Sequence, residues 1–202
     1  MKEEFLKHLQ RILREDQRAL EENMSSHVTF RTGGPAEYYV RPNRQQIQPV
    51  LELCRRFDVP WMVIGNGSNL LVGDRGIRGL VMEIGRMMDR ISIDGELVTA
   101  EAGALLSSAA RYAAKESLTG MEFASGIPGT VGGAVVMNAG AYGGEIKQIL
   151  KSVTVLTEDG QERELGAEEL DLGYRHSCIL ERRLIVLEAK LQLSKGNPEE
   201  IS

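Results

Sequence analysis

Residues 65–70 combine two glycines with small polar side chains, directly after a predicted buried strand at residues 61–64. Gly65 and Gly67 let a ligand approach the backbone closely. The side chains of Asn66, Ser68 and Asn69 add donors to successive backbone N–H groups, an arrangement that can hold a pyrophosphate. A tight turn that only connects two elements is the alternative, and both interpretations stay open on this segment alone.

The same segment begins like the GxGxxG motif of dinucleotide-binding folds. Leu70 replaces the third glycine, and no acidic residue follows a second strand at the expected place. The sequence therefore gives little support to a Rossmann fold.

Glycine is concentrated between residues 120 and 144, where eight of the 22 glycines lie. Two glycine-rich loops, residues 125–134 and 138–144, bracket a short apolar run. No GK[ST] sequence is present, so the loops do not form a P-loop. Because each glycine costs backbone entropy on folding, a purely structural turn seldom uses so many. Backbone packed closely against a large flat ligand explains this density better.

A third segment, residues 172–177, contains Arg175 between Tyr174 and His176. The fixed charge and planar donor fork of an arginine suit pairing with a carboxylate or stabilisation of an enolate oxygen. Taken alone, an arginine in such a segment is more often a surface residue.

The composition narrows the class of protein. A net charge of -5 argues against a nucleic-acid or anionic-membrane partner. No apolar run reaches the length of a membrane span, and the charged N-terminus does not resemble a signal peptide, so we expect a cytoplasmic protein. The two cysteines and three histidines form no metal-binding pattern, so we predict no metal site.

Hydrophobic spacing predicts the elements that position these segments. In the first part of the chain it predicts one amphipathic helix over residues 2–22, short strands at 28–30 and 38–40, and strands at 61–64 and 80–84. A further helix is predicted within residues 43–57, where Pro49 favours a start at Gln48.

The second part predicts a hairpin over residues 91–100, a helix over 104–116, another hairpin over 152–165 and a last strand over 185–193. Strand-helix-strand patterns before Arg90 give way to hairpins and glycine-rich loops after it. We therefore predict a boundary near Arg90 between two α/β sub-domains of unequal size.

Five stretches together resemble one family, the UDP-N-acetylenolpyruvoylglucosamine reductases, also called UDP-N-acetylmuramate dehydrogenases or MurB. The resemblance covers nearly the whole chain from Met24 onward, and the stretches follow the order and approximate spacing of the family. They are TFRTGGPA (29–36), IGNGSNLL (64–71), GIPGTVGGA (126–134), NAGAYG (138–143) and GYRHS (173–177).

The resemblance implies an α+β protein with the FAD-binding fold of the vanillyl-alcohol-oxidase (PCMH) type, in which FAD lies between two α/β sub-domains. Its implied domains are an N-terminal helix (1–23), two FAD-binding sub-domains (24–90 and 91–194) and the start of a substrate-binding domain (195–202). The implied FAD-contacting residues are Gly65, Asn66, Gly67, Ser68, Asn69, Leu70, Gly126, Ile127, Pro128, Gly129, Gly132, Gly133, Asn138, Gly140, Ala141 and Tyr142.

The resemblance also implies a reaction in peptidoglycan precursor synthesis. NADPH would reduce FAD, which would then reduce the enolpyruvyl group of a UDP-sugar to give UDP-N-acetylmuramate. Arg175 matches the family's catalytic arginine, and Tyr174 and Arg175 would line the substrate pocket. No residue matches the proton-donating serine or the assisting glutamate of the family. We therefore expect these 202 residues not to complete turnover alone.

Two other functions stay open. One is a flavoprotein oxidase of the same fold, which would often tether FAD through a histidine or cysteine; nothing in the sequence marks His27 as such a tether. The other is a non-catalytic FAD-binding module. A protein without any cofactor would leave the entropic cost of the glycine-rich segments uncompensated.

Overall fold

The chain divides into two units that each mix helices and strands, Met1–Met87 and Met88–Ser202. The computed structural model describes residues 2–201. Met1 and Ser202, with which the first and last predicted domains begin and end, lie outside the described residues. The assignment of these units as FAD-binding sub-domains stays a prediction.

Within residues 2–87, the first unit contains one mixed sheet and two α-helices. Its strand order is β1-β2-β4-β3, with an antiparallel pair between β1 and β2 and parallel pairs between β2 and β4 and between β3 and β4. In chain order the elements are α1 (Lys2–Ile12), β1 (Arg18–Asn23), β2 (Pro35–Val40), α2 (Arg44–Arg56), β3 (Trp61–Ile64) and β4 (Ile77–Glu83).

The predicted N-terminal helix over residues 2–22 is wrong in its second half. Helix α1 ends at Ile12, and residues 18–23 form the edge strand β1. Because β1 pairs with β2, the backbone hydrogen bonds of this stretch go to the sheet. Leu20, which helical spacing places on the buried face, is 52% exposed. Tertiary strand pairing here overrides the local apolar pattern.

The strand predicted at residues 28–30 is also wrong, because residues 27–30 form turns. The N–H of His27 donates to the carbonyl of Met24, and that of Arg31 donates to the carbonyl of Val28. These local hydrogen bonds bend the chain. In an extended strand the same backbone groups would instead bond to a neighbouring strand.

Helix α2 begins at Arg44, so the start at Gln48 is wrong. Asn43 precedes the helix, and its Oδ1 accepts from the N–H of Gln46 at 3.2 Å. Gln46 Oε1 accepts in return from the N–H of Asn43 at 2.9 Å. This reciprocal cap fixes the start of the helix five residues before Pro49, which the helix accommodates.

The second unit is built around an antiparallel five-stranded sheet with the order β11-β10-β12-β6-β5. Helix α4 packs against β6 and β12. The elements in chain order are β5 (Ile91–Asp94), β6 (Leu97–Glu101), α3 (Leu106–Lys115), β7 (Leu118–Thr119), α4 (Val131–Val136), β8 (Gly140–Ala141), β9 (Gly144–Glu145), β10 (Leu150–Leu156), β11 (Glu162–Gly166), β12 (Ile185–Gln192), β13 (Ser194–Lys195) and α5 (Pro198–Ile201).

Both predicted hairpins are confirmed, as β5–β6 and β10–β11, and so are the helix α3 and the strand β12. Within residues 2–201, no helix has the length and apolar character needed to cross a membrane.

Candidate functional site

The polar segment 65–70 follows β3 at the edge of the sheet where the neighbouring parallel strand β4 also ends. Ile64, the last residue of β3, pairs with Glu83, the last residue of β4. Gly67 has a φ of +66°, and a Cβ at this position would collide with the carbonyl oxygen of His27. Its own carbonyl accepts from the N–H of Thr29 at 3.2 Å. The fold itself therefore requires Gly67, whether or not a ligand binds here.

A cluster of ionisable side chains surrounds His27. Its Nε2 lies 2.8 Å from Glu22 Oε1, and its Nδ1 lies 2.8 Å from the hydroxyl oxygen of Tyr39. The Tyr39 hydroxyl also donates to Glu83. Burial, followed by this hydrogen bond, raises the pKa of Tyr39 well above its usual range, so the phenol keeps its proton.

This cluster bears on the covalent-tether alternative. Both ring nitrogens of His27 already have partners within the first unit. A bond from His27 to a flavin would have to displace one of them. The cluster is not predictable from the sequence, because its members come from β1, β2, β4 and a turn, and only the sheet brings them together.

In the second unit, the first N–H groups of α4 are used within the protein. The N–H of Val131 donates to the carbonyl of Ala104 at 2.8 Å, and that of Gly132 to the carbonyl of Ala102 at 2.9 Å. The Oγ1 of Thr130 accepts from the N–H of Gly133. These contacts fix the glycine-rich segment against the loop after β6, and they leave the start of α4 with few donors for an anion.

The glycines of this segment fall into two groups. A Cβ on Gly132 would lie 2.9 Å from the Cβ of Ala102, so packing alone excludes a side chain there. A Cβ on Gly126 would meet nothing within 4 Å, and on Gly133 only Thr130 Oγ1 at 3.5 Å. Neither Gly126 nor Gly133 has a positive φ. The protein itself therefore does not require glycine at these two positions, which is what a closely approaching ligand would explain.

The segment 138–144 forms a small hairpin of β8 and β9. Tyr142 and Gly143 occupy its tip with φ values of 53° and 84°, as in a type I′ turn. The side chain of Tyr142 is fully exposed, so it contributes nothing to the core. A tyrosine held in this conformation and pointing away from the core is suited to contact with a ligand or another protein segment.

Arg175 lies at the tip of a second tight turn, residues 173–176, which we call the Arg175 turn. The backbone groups of Gly173 and His176 bond to each other in both directions, at 3.1 and 3.2 Å. Arg175 has a φ of 49°, and its guanidinium carbon lies 5.9 Å from the ring centroid of Tyr174. Both side chains are exposed, with Tyr174 at 89%. Arg175 shares this left-handed backbone conformation with other charged residues of the chain, among them Arg31 and Arg183.

The structure brings the last two predicted segments together. The Nδ2 of Asn138 donates to the carbonyl oxygen of Gly173 at 3.0 Å, so the hairpin segment and the Arg175 turn are joined. Residues 65–70 belong to the other unit. Within residues 2–201, no group of three or more histidine, cysteine, aspartate or glutamate side chains could hold a metal ion.

Comparison with known proteins shows which family shares these features. Residues 35–166 match the FAD binding domain family. The chain is 51% identical over 193 residues to the UDP-N-acetylenolpyruvoylglucosamine reductase of Agathobacter rectalis, covering 90% of this chain and 62% of that protein. It is 46% identical to the reductase of the same name from Clostridioides difficile, covering 96% of this chain and 64% of that protein. The resemblance predicted from the five stretches is confirmed, and the chain spans a little under two thirds of these relatives.

Solved structures confirm the fold. The UDP-N-acetylenolpyruvylglucosamine reductase (MurB) of Thermus caldophilus matches 92% of this chain and 64% of its own with a TM-score of 0.78 and 35% identity. p-Cresol methylhydroxylase matches 98% of this chain and 44% of its own with a TM-score of 0.72 at 17% identity, a likeness of fold alone. The fold is thus the FAD-binding fold of the vanillyl-alcohol-oxidase (PCMH) type, as predicted.

Proposed function

This chain belongs to the FAD binding domain family, and on that premise we propose that it supplies the FAD-binding part of a UDP-N-acetylenolpyruvoylglucosamine reductase. The reaction would be the NADPH-dependent reduction of UDP-N-acetylenolpyruvoylglucosamine to UDP-N-acetylmuramate, a cytoplasmic step of peptidoglycan precursor synthesis. Support comes from the similarity to reductases of that name over 90% and 96% of this chain.

FAD, when bound, would supply the hydride exchange between NADPH and the sugar nucleotide. We propose that the backbone of residues 65–70 and the open faces of Gly126 and Gly133 hold it, together with the hairpin that carries Tyr142. The open sides of Gly126 and Gly133 support this assignment. Neither packing against a neighbour nor a positive φ explains glycine at these two positions.

The Arg175 turn is the observation that carries the reductase assignment. Reduction of an enolpyruvyl group places negative charge on oxygens of the substrate. A guanidinium keeps its charge at any working pH and offers two parallel donors to a carboxylate. Arg175 is exposed at the tip of this turn, so its guanidinium is accessible to a ligand.

Anaerobic addition of NADPH to the FAD-loaded chain tests the proposal. We expect the flavin absorbance to bleach, because NADPH is the proposed hydride donor. A flavin that stays oxidised would favour the non-catalytic FAD-binding module.

A second experiment separates the reductase from an oxidase with tethered flavin. After acid precipitation of the FAD-loaded chain, we expect all flavin in the supernatant, since both nitrogens of His27 are engaged by Glu22 and Tyr39. Flavin that stays with the precipitate would support the oxidase.

A further inference from the structure

Asn138 is a buried polar residue whose side-chain hydrogen-bonding groups all have partners inside the second unit. It is 4% exposed. Its Oδ1 accepts from the N–H of Lys147 at 2.8 Å, and because a backbone N–H can only donate, this contact fixes which end of the amide is oxygen. Its Nδ2 donates to the carbonyl of Gly173 and to Glu145 Oε2, both at 3.0 Å. The side-chain hydrogen-bonding groups of Asn138, a residue that the resemblance places among the FAD contacts, are therefore in use within the protein.

Two further hydrogen bonds hold the same turn. The Nζ of Lys147 donates to the carbonyl of Leu172 at 3.0 Å, before the turn. The Oγ of Ser177, which is 4% exposed, donates to the carbonyl of Val136 at 2.6 Å, after the turn. The Arg175 turn is thus anchored on both sides to the stretch that runs from the end of α4 to Lys147.

The turn needs such anchoring because its tip has little packing of its own. Arg175 and Tyr174 are exposed, and a non-glycine residue in the left-handed region is under strain. We propose that Asn138 is a positioning residue, which orients Arg175 by holding the carbonyl of Gly173. The proposal rests on the proposed function, in which Arg175 faces the reacting groups, and it assigns Asn138 a role other than contact with FAD.

A charge-balanced variant isolates this hydrogen bond. Asn138→Asp keeps the acceptor for Lys147 and the tolerance of the left-handed conformation, but it removes both N–H donors. Glu145→Gln, added to it, prevents two carboxylates from facing each other and can donate to the new aspartate. The double variant has the net charge of the parent, and it replaces the donor to the carbonyl of Gly173 with a carboxylate oxygen, which cannot donate. Glu145→Gln alone keeps that donor and is the matched control.

The first readout is limited trypsin cleavage of the bond after Arg175, followed by mass spectrometry of the fragments. The open population of the turn should rise about fivefold in the double variant, the factor that corresponds to one hydrogen bond of about 1 kcal/mol. Cleavage after Lys195, in the same unit, serves as the internal reference. Equal cleavage after Arg175 in the double variant and in Glu145→Gln would overturn the anchor.

The second readout is the midpoint potential of bound FAD, which a purely structural role of Asn138 would leave unchanged. A guanidinium near the flavin stabilises the charge added on reduction, so Arg175→Ala should lower the potential. The double variant should lower it in the same direction and by less, and Glu145→Gln should not lower it. A potential equal to that of the parent in the double variant, with Arg175→Ala lowered, would overturn the positioning role.

If Arg175→Ala itself leaves the potential unchanged, the proposal is overturned through the proposed function on which it rests. The proteolysis result, which needs no cofactor, tells that failure from a failure of the anchor.

Discussion

The Nδ2 of Asn138 lies 3.0 Å from the carbonyl oxygen of Gly173, and this hydrogen bond joins residues 35 positions apart in the chain. It links the hairpin tipped by Tyr142 to the turn tipped by Arg175. Both tips hold non-glycine residues in the left-handed region, at φ values of 53° and 49°. The two exposed tips therefore belong to segments of the second unit that are joined by a buried hydrogen bond.

Gly126 gives the sharpest test of the proposed flavin contact. Gly126→Val should leave the free energy of unfolding within about 0.5 kcal/mol of the parent, because a Cβ there meets nothing and φ is not positive. It should weaken FAD binding at least about tenfold, since the new side chain would occupy the space of the ligand. Fluorescence titration with FAD, with thermal unfolding in parallel, measures both quantities.

Gly73→Val is the control for Gly126→Val. Gly73 is exposed and equally free of neighbours within 4 Å, but it lies outside the predicted contacts. FAD should bind to the Gly73 variant as it does to the parent. Equal FAD affinity of the two valine variants would remove residue 126 from the flavin site. Gly129 is less suitable for this test, because its φ of 140° would make any side chain costly to the fold itself.

Arg175 should influence the bound cofactor without holding it. Arg175→Ala should keep the parental affinity for FAD and lower the midpoint potential of the bound flavin, because a positive charge is lost. Arg175→Lys should recover much of the potential, since it restores the charge without the planar fork. Spectroelectrochemical titration of the three proteins checks this. An FAD affinity that falls with Arg175→Ala would instead make the arginine part of the cofactor cradle.

The strain at Arg175 predicts an unusual order of stabilities. Arg175→Gly should be more stable than Arg175→Ala by about 1 kcal/mol, because alanine keeps the left-handed penalty that glycine avoids. In an ordinary exposed position glycine would be the less stable of the two. Urea unfolding of both variants measures the difference, and a more stable alanine variant would show that the turn does not impose this conformation.

Cys54 makes stability depend on pH in the alkaline range. Burial raises the pKa of its thiol from 9.0 to about 12. Between these values the unfolded chain has lost the proton that the folded chain keeps, so the free energy of unfolding falls as pH rises, by up to about 1.4 kcal/mol per pH unit. Below the pKa of the unfolded chain the thiol is protonated in both states, so its contribution to the free energy of unfolding no longer changes with pH.

Cys54→Ala should therefore show a shallower loss of stability than the parent as the pH rises from about 9 towards about 12. Urea unfolding at several pH values measures the two slopes. The slope is the relevant quantity, because the substitution also leaves a cavity that lowers stability at every pH. Parallel slopes would mean that the Cys54 thiol titrates alike in the folded and unfolded chains.

The sequence predicted those helices and hairpins that depend on contacts between residues close together in the chain. The β5–β6 and β10–β11 hairpins follow from alternating apolar residues around turn residues, and α3 follows from its alanine-rich spacing. The helix predicted over residues 18–22 was wrong because residues 18–23 pair with β2, which lies beyond a turn, and only this pairing makes them extended. The cap at Asn43 was readable from Gln46 three positions later, as a capping box.

The candidate site shows the same division. Glycine density pointed to residues 120–144, but the density has two causes that only the structure separates. Gly132 is required by packing on Ala102, whereas Gly126 is not required by any neighbour within 4 Å. The anchoring by Asn138 was not predictable, because its partner Gly173 is distant in sequence and its contact is to a backbone carbonyl.

The visible absorption spectrum of the purified chain, recorded after addition of FAD and desalting, tests the central claim most directly. We predict that flavin bands stay with the protein and that the Gly126→Val variant retains less flavin than the parent. Loss of all flavin from the parent at desalting, with the chain shown to be folded by circular dichroism, would contradict the claim that this chain is an FAD-binding unit.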